Sequence, residues 1–176
     1  DYESYNVSAR YLSYLLTPAT VCLAVPLYQQ LSLLKKHARA ILAGTVTGVL
    51  TTMATVLVLA LLFQLTHEQY VTFLPKSITT AIGMGVSEEM GGIVTITVAC
   101  IIITGIIGNI IAETVCRLFH ITEPVAKGIA IGSASHAIGT TKAMEMGEVE
   151  GAMSSLAIAV SGLCTVLFAS VFANFI

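Results

Sequence analysis

Polar side chains that could bind a ligand or carry a proton are concentrated in one short stretch of an otherwise apolar chain. Residues 133–142 read SASHAIGTTK and combine hydroxyl, imidazole and ammonium groups. A small carboxylate can be bound by hydroxyls, backbone N–H groups, the positive end of a half-helix and a cation. The candidate binding residues in this stretch are Ser133, Ser135, His136, Gly139, Thr140 and Thr141.

Two other interpretations of the same stretch remain open. His136 could accept and release a proton that is coupled to transport, because imidazole changes charge near neutral pH. Alternatively, the hydroxyls could bond neighbouring helices and His136 a carbonyl, which would make the stretch an interface between helices. The density of polar groups favours a binding site, because unpaired polar groups in hydrocarbon are costly.

Two smaller sets of residues could contribute to the same site. The first set consists of the hydroxyl residues Ser77, Thr79 and Thr80. Glu88 and Glu89, two consecutive carboxylates further along the chain, are typical of a solvated helix end. The second set surrounds a possible helix break near the start of the chain and consists of Pro18, Ala19, Thr20 and Pro26. Both sets are predicted to line the cavity that the 133–142 stretch faces.

Other kinds of chemistry lack a sequence signature. There is no nucleophile elbow, no glycine-rich phosphate loop with a lysine and no H-E-x-x-H motif, so we do not expect an enzyme. The four cysteines occur singly, without the spacing of a metal site, and no metal or cofactor is predicted. A net charge of −2 without a basic face gives no nucleic-acid signal.

The elements that position these residues are predicted to be membrane helices. Only 10% of the residues are charged, against about 25% in ordinary soluble domains. Residues 11–34, 40–66 and 151–176 contain no Asp, Glu, Lys, Arg or His, and residues 92–112 form a fourth apolar stretch. Each is long enough to cross a bilayer, which takes roughly 20 residues. The sequence therefore predicts a single all-α membrane domain, residues 1–176, with the lipid bilayer as its surroundings.

Two stretches between these spans are too polar or too rich in glycine for ordinary lipid-facing helices. Residues 75–92 and 123–151 should therefore face inward, because irregular backbone at membrane depth must be buried in protein or line a watery cavity. Pro18 and Pro26 interrupt the first span in the same way. Residues 11–66 and 122–176 are then candidate repeat units, each with a broken helix followed by a long span, as in transporters built from inverted repeats.

Orientation is predicted from the basic residues, which concentrate on the cytoplasmic side. If residues 75–92 dip into the membrane and return, five basic residues lie inside and three outside. If they cross the membrane, the basic residues divide evenly between the two sides or with the smaller number inside. The re-entrant arrangement is preferred. The inside set is then Lys35, Lys36, Arg39, Arg117 and Lys127, and the outside set is Arg10, Lys76 and Lys142.

Asn109 and Glu113 lie on the same face of a predicted helix and could have a proton- or cation-linked role. Glu113 is also four residues from Arg117 and can pair with it, which favours a location at the membrane interface.

Four motifs in this order and spacing resemble the LrgB/CidB family of bacterial inner-membrane proteins. They are LTPAT running to AVPLY at residues 16–28, LPKSITT at 74–80, GGI at 91–93 and SASHAIGT at 133–140. The likeness covers nearly the whole chain. One departure is the sequence AIG at residues 81–83, where many members have a proline after the two threonines.

The resemblance implies a location and two functions. It places the protein as a multi-pass protein in the bacterial cytoplasmic membrane, lacking N-terminal helices that family members carry. One implied function is the movement of small monocarboxylates such as pyruvate or glycolate. The alternative is holin/antiholin-like control of murein hydrolase export and autolysis. A small LrgA/CidA-type membrane partner and homo-oligomerisation are also expected, and the fold should resemble cation/proton antiporters and bile-acid transporters.

Overall fold

Every regular element in the described part of the chain is helical, as the sequence predicts. The structure is a computed structural model that describes residue 28 and residues 31–176. Its helices are α1 (Leu31–Phe63), α2 (His67–Phe73), α3 (Thr80–Glu89), α4 (Val94–Leu118), α5 (Pro124–Met146) and α6 (Glu148–Phe172), followed by a 3₁₀ turn at Ala173–Phe175. Pro18, Ala19, Thr20 and Pro26 lie outside the described residues.

Three helices are long and apolar enough to cross a membrane. They cover Lys35–Phe63, Val94–Leu118 and Glu148–Phe175. A helix of 25 residues, such as α4, measures about 37 Å at 1.5 Å per residue, which exceeds the roughly 30 Å hydrocarbon core. These helices confirm the spans predicted at 40–66, 92–112 and 151–176. Most of the span predicted at 11–34 lies outside the described residues.

The spans α1 and α6 run in the same direction, and α4 runs the opposite way. Near the start of α1, Ile41 shares a buried core with Ala152 near the start of α6. Near the other end of α1, Ala60 shares a core with Ala169 near the end of α6. The side of the membrane on which α1 and α6 begin is called the basic side. The side on which they end is called the far side. The helix α4 starts on the far side and ends on the basic side.

Residues 67–89 form a re-entrant hairpin, hairpin 1, that enters from the far side and returns to it. Its first arm is α2, which begins with a capping box between Thr66 and Gln69, and its second arm is α3. At the base, Tyr70 donates a 2.9 Å hydrogen bond to the Phe172 carbonyl at the far-side end of α6. The tip, residues 74–79, lies deeper, where Ser77 approaches Ser133 of α5. The segment returns to the level at which it starts, because the Ile93 N–H donates a 2.8 Å hydrogen bond to the Thr72 hydroxyl, and this agrees with the preferred re-entrant arrangement.

The helix α5 is a second re-entrant hairpin, hairpin 2, which enters from the basic side and turns back at His136. Gly128 in the first arm and Met144 in the second both pack against residues 150–153 of α6. In a continuous helix, sixteen residues would separate these two positions by about 24 Å. The arms also meet each other, since Ile131 Cγ2 lies 3.2 Å from where a Cβ atom on Gly139 would be. The chain therefore reverses within α5.

This reversal corrects the predicted position of Lys142. The distribution of basic residues predicted Lys142 outside. In the structure, Lys142 lies 3.7 Å from Glu113 at the basic-side end of α4, and it lines one cavity together with Arg117 and Lys127. The prediction for Lys142 was therefore wrong, because the second arm returns to the basic side. Lys76 was also predicted outside, and the structure instead places it at the tip of hairpin 1, next to Ser77.

The two hairpins show an inverted relation in the described part of the chain. α1 runs toward the far side and hairpin 1 follows from there, whereas α4 runs toward the basic side and hairpin 2 follows from there. The expected repeat units 11–66 and 122–176 would pair α1 with α6, and these two spans are parallel rather than inverted. Because residues 11–27 lie outside the described part, that repeat remains a prediction.

Candidate functional site

The tips of the two hairpins meet inside the bundle around a small cavity. Ser77 at the tip of hairpin 1 and Ser133 near the tip of hairpin 2 line it, together with Thr52 of α1 and Thr165 of α6. Four hydroxyl residues from four segments thus surround one space, whose remaining walls are apolar. The cavity measures about 10 Å³, which is about the volume that a single water molecule requires. The space between the tips is therefore too small for a solute larger than water.

Ser133 also lines a much larger groove that reaches the same place from the basic side. This groove, of about 980 Å³ among the described residues, runs between α1 and the first arm of hairpin 2. His37 and Glu123 lie at its basic-side end, and Thr51, Thr52 and Ser133 at its inner end. Thr52 and Ser133 line both spaces. They separate the groove from the small cavity.

The chain reverses at His136 with an uncommon backbone conformation. Its φ of 43° and ψ of −142° lie in a region that favours glycine. Such a conformation costs on the order of 1–3 kcal/mol and persists where the surroundings enforce it. Here the His136 Nε2–H donates a 2.8 Å hydrogen bond to the Ile101 carbonyl of α4. The side chain is buried, and it fixes the tip of hairpin 2 against α4.

A glycine on α4 allows this contact. A Cβ atom at Gly105 would lie 2.6 Å from His136 Cε1 and 2.9 Å from Ile138 Cβ. The imidazole therefore packs directly on the α4 backbone. The residues that line the groove and the small cavity include Ser133 but not His136.

Other predicted site residues on hairpin 2 bond neighbouring helices or their own arm. Thr140 donates to the His136 carbonyl at 2.9 Å and lies 2.7 Å from the Ser154 hydroxyl of α6. The Asn109 amide of α4 donates to the Ile138 carbonyl and to the Thr141 hydroxyl, both at 2.8 Å. Ser135 and Gly139 are buried within the turn. These residues position the tip, whereas Ser133 faces the open space.

The hydroxyls of hairpin 1 also differ in placement. Ser77 lines the small cavity, whereas Thr79 is the N-cap residue of α3 without a side-chain capping bond, and Thr80 begins that helix. The structure therefore brings together Ser77 and Ser133 from the predicted set. Thr52 and Thr165 lie inside uncharged spans and have no sequence pattern that would have singled them out.

Lys76 was not among the predicted site residues, although a sequence signal was available. It is the one basic residue between the basic clusters of α1 and α4, and it stands in the irregular stretch 75–92. An ionisable residue inside a membrane segment is a functional candidate. Its Nζ donates a 3.0 Å hydrogen bond to Ser77 Oγ. The tip of hairpin 1 therefore carries a cation next to the cavity.

Charged residues at the basic-side end of α4 form an ion-pair cluster. Arg117 lies 3.2 Å from Glu113, as the four-residue spacing predicted. Lys142 lies 3.2 Å from Glu145 and 3.7 Å from Glu113. The cluster joins the second arm of hairpin 2 to the end of α4. Within the described residues, no group of three or more His, Cys, Asp or Glu side chains could hold a metal ion.

Comparison with known proteins identifies the family. A model of the LrgB-like family matches residues 1–175. The antiholin-like protein LrgB of Bacillus mycoides (strain KBAB4) is 38% identical over 175 residues, which cover 99% of this chain and 76% of that protein. The proteins of the same name from Bacillus cereus (strain B4264) and Bacillus anthracis (strain CDC 684 / NRRL 3495) match with the same identity and coverage. No solved structure matches the chain. With its three membrane-spanning helices and these relatives, the chain is a multi-pass bacterial membrane protein and belongs to the LrgB-like family.

Proposed function

We propose that this protein moves a small monocarboxylate across the membrane through the space between the tips of its two hairpins. The observation that carries the proposal is the meeting of Ser77 and Ser133, which approach from opposite sides of the membrane. Paired broken or re-entrant segments at mid-membrane depth are a recurrent form of binding site in secondary transporters. The chain also carries such segments in opposite orientations.

The lining of the groove fits the chemistry of the proposed solute. Its walls are mostly apolar, and its inner end carries the hydroxyls of Thr51, Thr52 and Ser133. The apolar part of a two- or three-carbon acid suits such walls, and the hydroxyls of Thr51 and Thr52 can donate to a carboxylate. Ser133 can donate to it once its hydrogen turns away from the Ile129 carbonyl. Because the small cavity holds about one water, the solute passes only after the tips separate. The proposed cycle therefore moves one hairpin tip relative to the other.

His136 acts in this proposal as a positioning residue. The hydrogen bond to the Ile101 carbonyl and the fit on Gly105 hold the tip of hairpin 2 on α4. A proton-coupled role for His136 remains a prediction. It requires His136→Gln to flatten the pH dependence of uptake between about pH 5 and 8. A purely positioning role predicts that the variant lowers the uptake rate with an unchanged pH profile.

Uptake of radiolabelled pyruvate or glycolate by proteoliposomes containing the purified protein tests the function. The informative variant is Ser133→Ala. In the wild type the Ser133 hydroxyl donates to the Ile129 carbonyl at 2.8 Å, and the residue lines the groove. The matched control is Ser155→Ala, because Ser155 is equally buried and donates to the Gly151 carbonyl at 3.0 Å. We expect Ser133→Ala to weaken apparent affinity several-fold and Ser155→Ala to leave it unchanged. Absence of solute-dependent uptake by the wild type would refute the proposal.

A second candidate function is antiholin-like regulation of cell lysis, which the name of the relatives favours. In that case the hydroxyls of hairpin 2 would serve helix packing, and assembly with other membrane proteins would be the function. An LrgA/CidA-type partner and homo-oligomers belong to this proposal as well.

The two functions predict different results in cells and in vesicles. An antiholin-like regulator changes the rate of autolysis on deletion, and this effect does not depend on Ser133. Leakage of several unrelated solutes from proteoliposomes would indicate a pore. Saturable uptake of one acid that competing monocarboxylates inhibit would indicate a transporter.

A further inference from the structure

Lys76 differs from the other basic residues that the structure describes. The others lie toward the basic side, in the first turns of α1, at the end of α4 or toward the two ends of α5. Lys76 instead occupies the tip of hairpin 1, residues 74–79, next to the residues that surround the small cavity. A cation at this depth is costly unless another group stabilises its charge.

The described residues leave this charge without an acidic partner. Lys76 donates one hydrogen bond, to Ser77 Oγ at 3.0 Å, and the ion pairs of the described residues involve Arg117 and Lys142 but not Lys76. An ammonium group has three donors, so donors remain available for an anionic ligand.

We propose that Lys76 is the cation that binds the carboxylate of the transported solute, with the hydroxyl of Ser77 as a second ligand. This inference rests on the proposed transport function and names the group that recognises its substrate. The Ser77 hydroxyl both accepts from Lys76 and lines the cavity where the tips meet. A carboxylate arriving past Ser133 would therefore meet Ser77 and the ammonium group together. Its charge would balance that of Lys76 and strengthen both hydrogen bonds.

The same geometry restricts the ligand to one carboxylate. The remaining walls of the small cavity are the apolar residues Val49, Met53, Leu74 and Ile78. A second carboxylate on the ligand would have to lose its water among these side chains without a partner, which is strongly unfavourable. Dicarboxylates should therefore be excluded, and a neutral amide of the same shape should bind weakly.

Binding and uptake of pyruvate by the full chain test the role of Lys76. Lys76→Gln keeps a polar side chain without the charge, and Lys76→Arg keeps the charge. The matched control is Lys142→Gln, which removes a lysine of hairpin 2 that is already paired with Glu145 and Glu113. We expect Lys76→Gln to weaken the apparent affinity for pyruvate by roughly tenfold to a hundredfold, the loss of a hydrogen bond between charged groups. Lys76→Arg should lose less, and Lys142→Gln should match the wild type.

A measurement on the wild type does not depend on the folding of any variant. An amine-reactive reagent is applied to the purified protein, and modification of each lysine is followed by mass spectrometry. Pyruvate should slow modification of Lys76, whereas pyruvamide and succinate should not, and modification of Lys142 should be unaffected. Equal rates of Lys76 modification with and without pyruvate would overturn the proposal.

The outcomes separate this inference from the function on which it rests. Wild-type uptake of pyruvate together with normal affinity in Lys76→Gln would overturn the role of Lys76 and leave transport standing. A wild-type protein that neither takes up pyruvate nor shows protection of Lys76 would overturn both. Protection of Lys76 without net uptake would support the binding site and refute transport.

Discussion

The two hairpins enter the bundle from opposite sides and are held in different places. Hairpin 1 is fixed at its base, where Thr97 donates to the Thr72 carbonyl at 2.9 Å and lies 2.7 Å from the Ser87 hydroxyl. Hairpin 2 is fixed at its tip, where His136 bonds the Ile101 carbonyl and the Asn109 amide bonds the Ile138 carbonyl. The hydrogen bonds at the tip of hairpin 1 are local ones, between Lys76 and Ser77 and between backbone groups of residues 73–78.

This difference indicates which tip can move. The tip of hairpin 2 is bonded to α4, so its displacement would break buried hydrogen bonds to another helix. The tip of hairpin 1 can shift while its base remains closed. Since the proposed passage requires the tips to separate, hairpin 1 is the element that we expect to carry the motion. Four predictions test or refine this comparison.

The largest expected effect is an all-or-none difference in the labelling of introduced cysteines. In a background without the native cysteines, His37→Cys and Lys142→Cys should react with a membrane-impermeant thiol reagent from the same side, and Gln64→Cys from the other. The reason is that α5 turns back and returns Lys142 to the side on which α1 begins. The positive-inside rule further predicts that His37 is cytoplasmic.

Joint labelling of Lys142→Cys with Gln64→Cys would show that α5 crosses the membrane. Labelling of His37→Cys from the periplasm would reverse the orientation and leave the hairpins intact.

The next largest effect is expected from a methyl group added where hairpin 2 packs on α6. A Cβ atom at Gly132 would collide with the backbone of Ser154, and overpacking of this kind costs about 1–3 kcal/mol. The control is Gly85→Ala in hairpin 1, where a Cβ atom would meet no atom within 4 Å. Gly85→Ala should be neutral or stabilising by about 0.5–1 kcal/mol, because alanine favours a helix. Denaturation in mixed micelles, followed by circular dichroism, measures both variants.

A smaller effect is expected when each hairpin loses one hydrogen bond. Thr97→Val removes the bond to the Thr72 carbonyl at the base of hairpin 1, and Thr140→Val removes the bond to the His136 carbonyl at the tip of hairpin 2. Each should cost about 1 kcal/mol. Hydrogen exchange distinguishes them, because Thr97→Val should accelerate exchange across residues 67–92 and Thr140→Val near residue 136. Equal acceleration in both hairpins would show that they open as one unit.

The smallest effect is expected at the exposed ion pair of α4. Arg117→Ala removes the partner of Glu113, but the Arg117 side chain is 80% exposed. Exposed pairs contribute little, so the free energy of unfolding should change by less than about 0.5 kcal/mol. A change above about 1 kcal/mol in the same denaturation assay would show that the ion-pair cluster holds the second arm of hairpin 2 in place.

The sequence by itself determined the all-helical membrane class, the spans near residues 40–66, 92–112 and 151–176 and the inward-facing character of the two irregular stretches. Charge and hydropathy suffice for these features, because the cost of placing polar groups in hydrocarbon depends on residue type and little on neighbours. It also identified Ser77 and Ser133 as candidates. The charge of the residues between the spans favoured re-entry of hairpin 1.

Only the tertiary structure decided that α5 turns back at His136, which directs Ser133 to the open space and His136 to α4. Gly132 and Gly139 flank the turn, but the residue with the positive φ is a histidine, so the sequence does not mark the position of the reversal. The turn forms because the Ile101 carbonyl of α4 accepts a hydrogen bond from the imidazole and because Gly105 of α4 leaves room for the ring to pack. Those groups are distant in sequence from residue 136. The meeting of the two tips likewise depends on contacts between segments that no local pattern links.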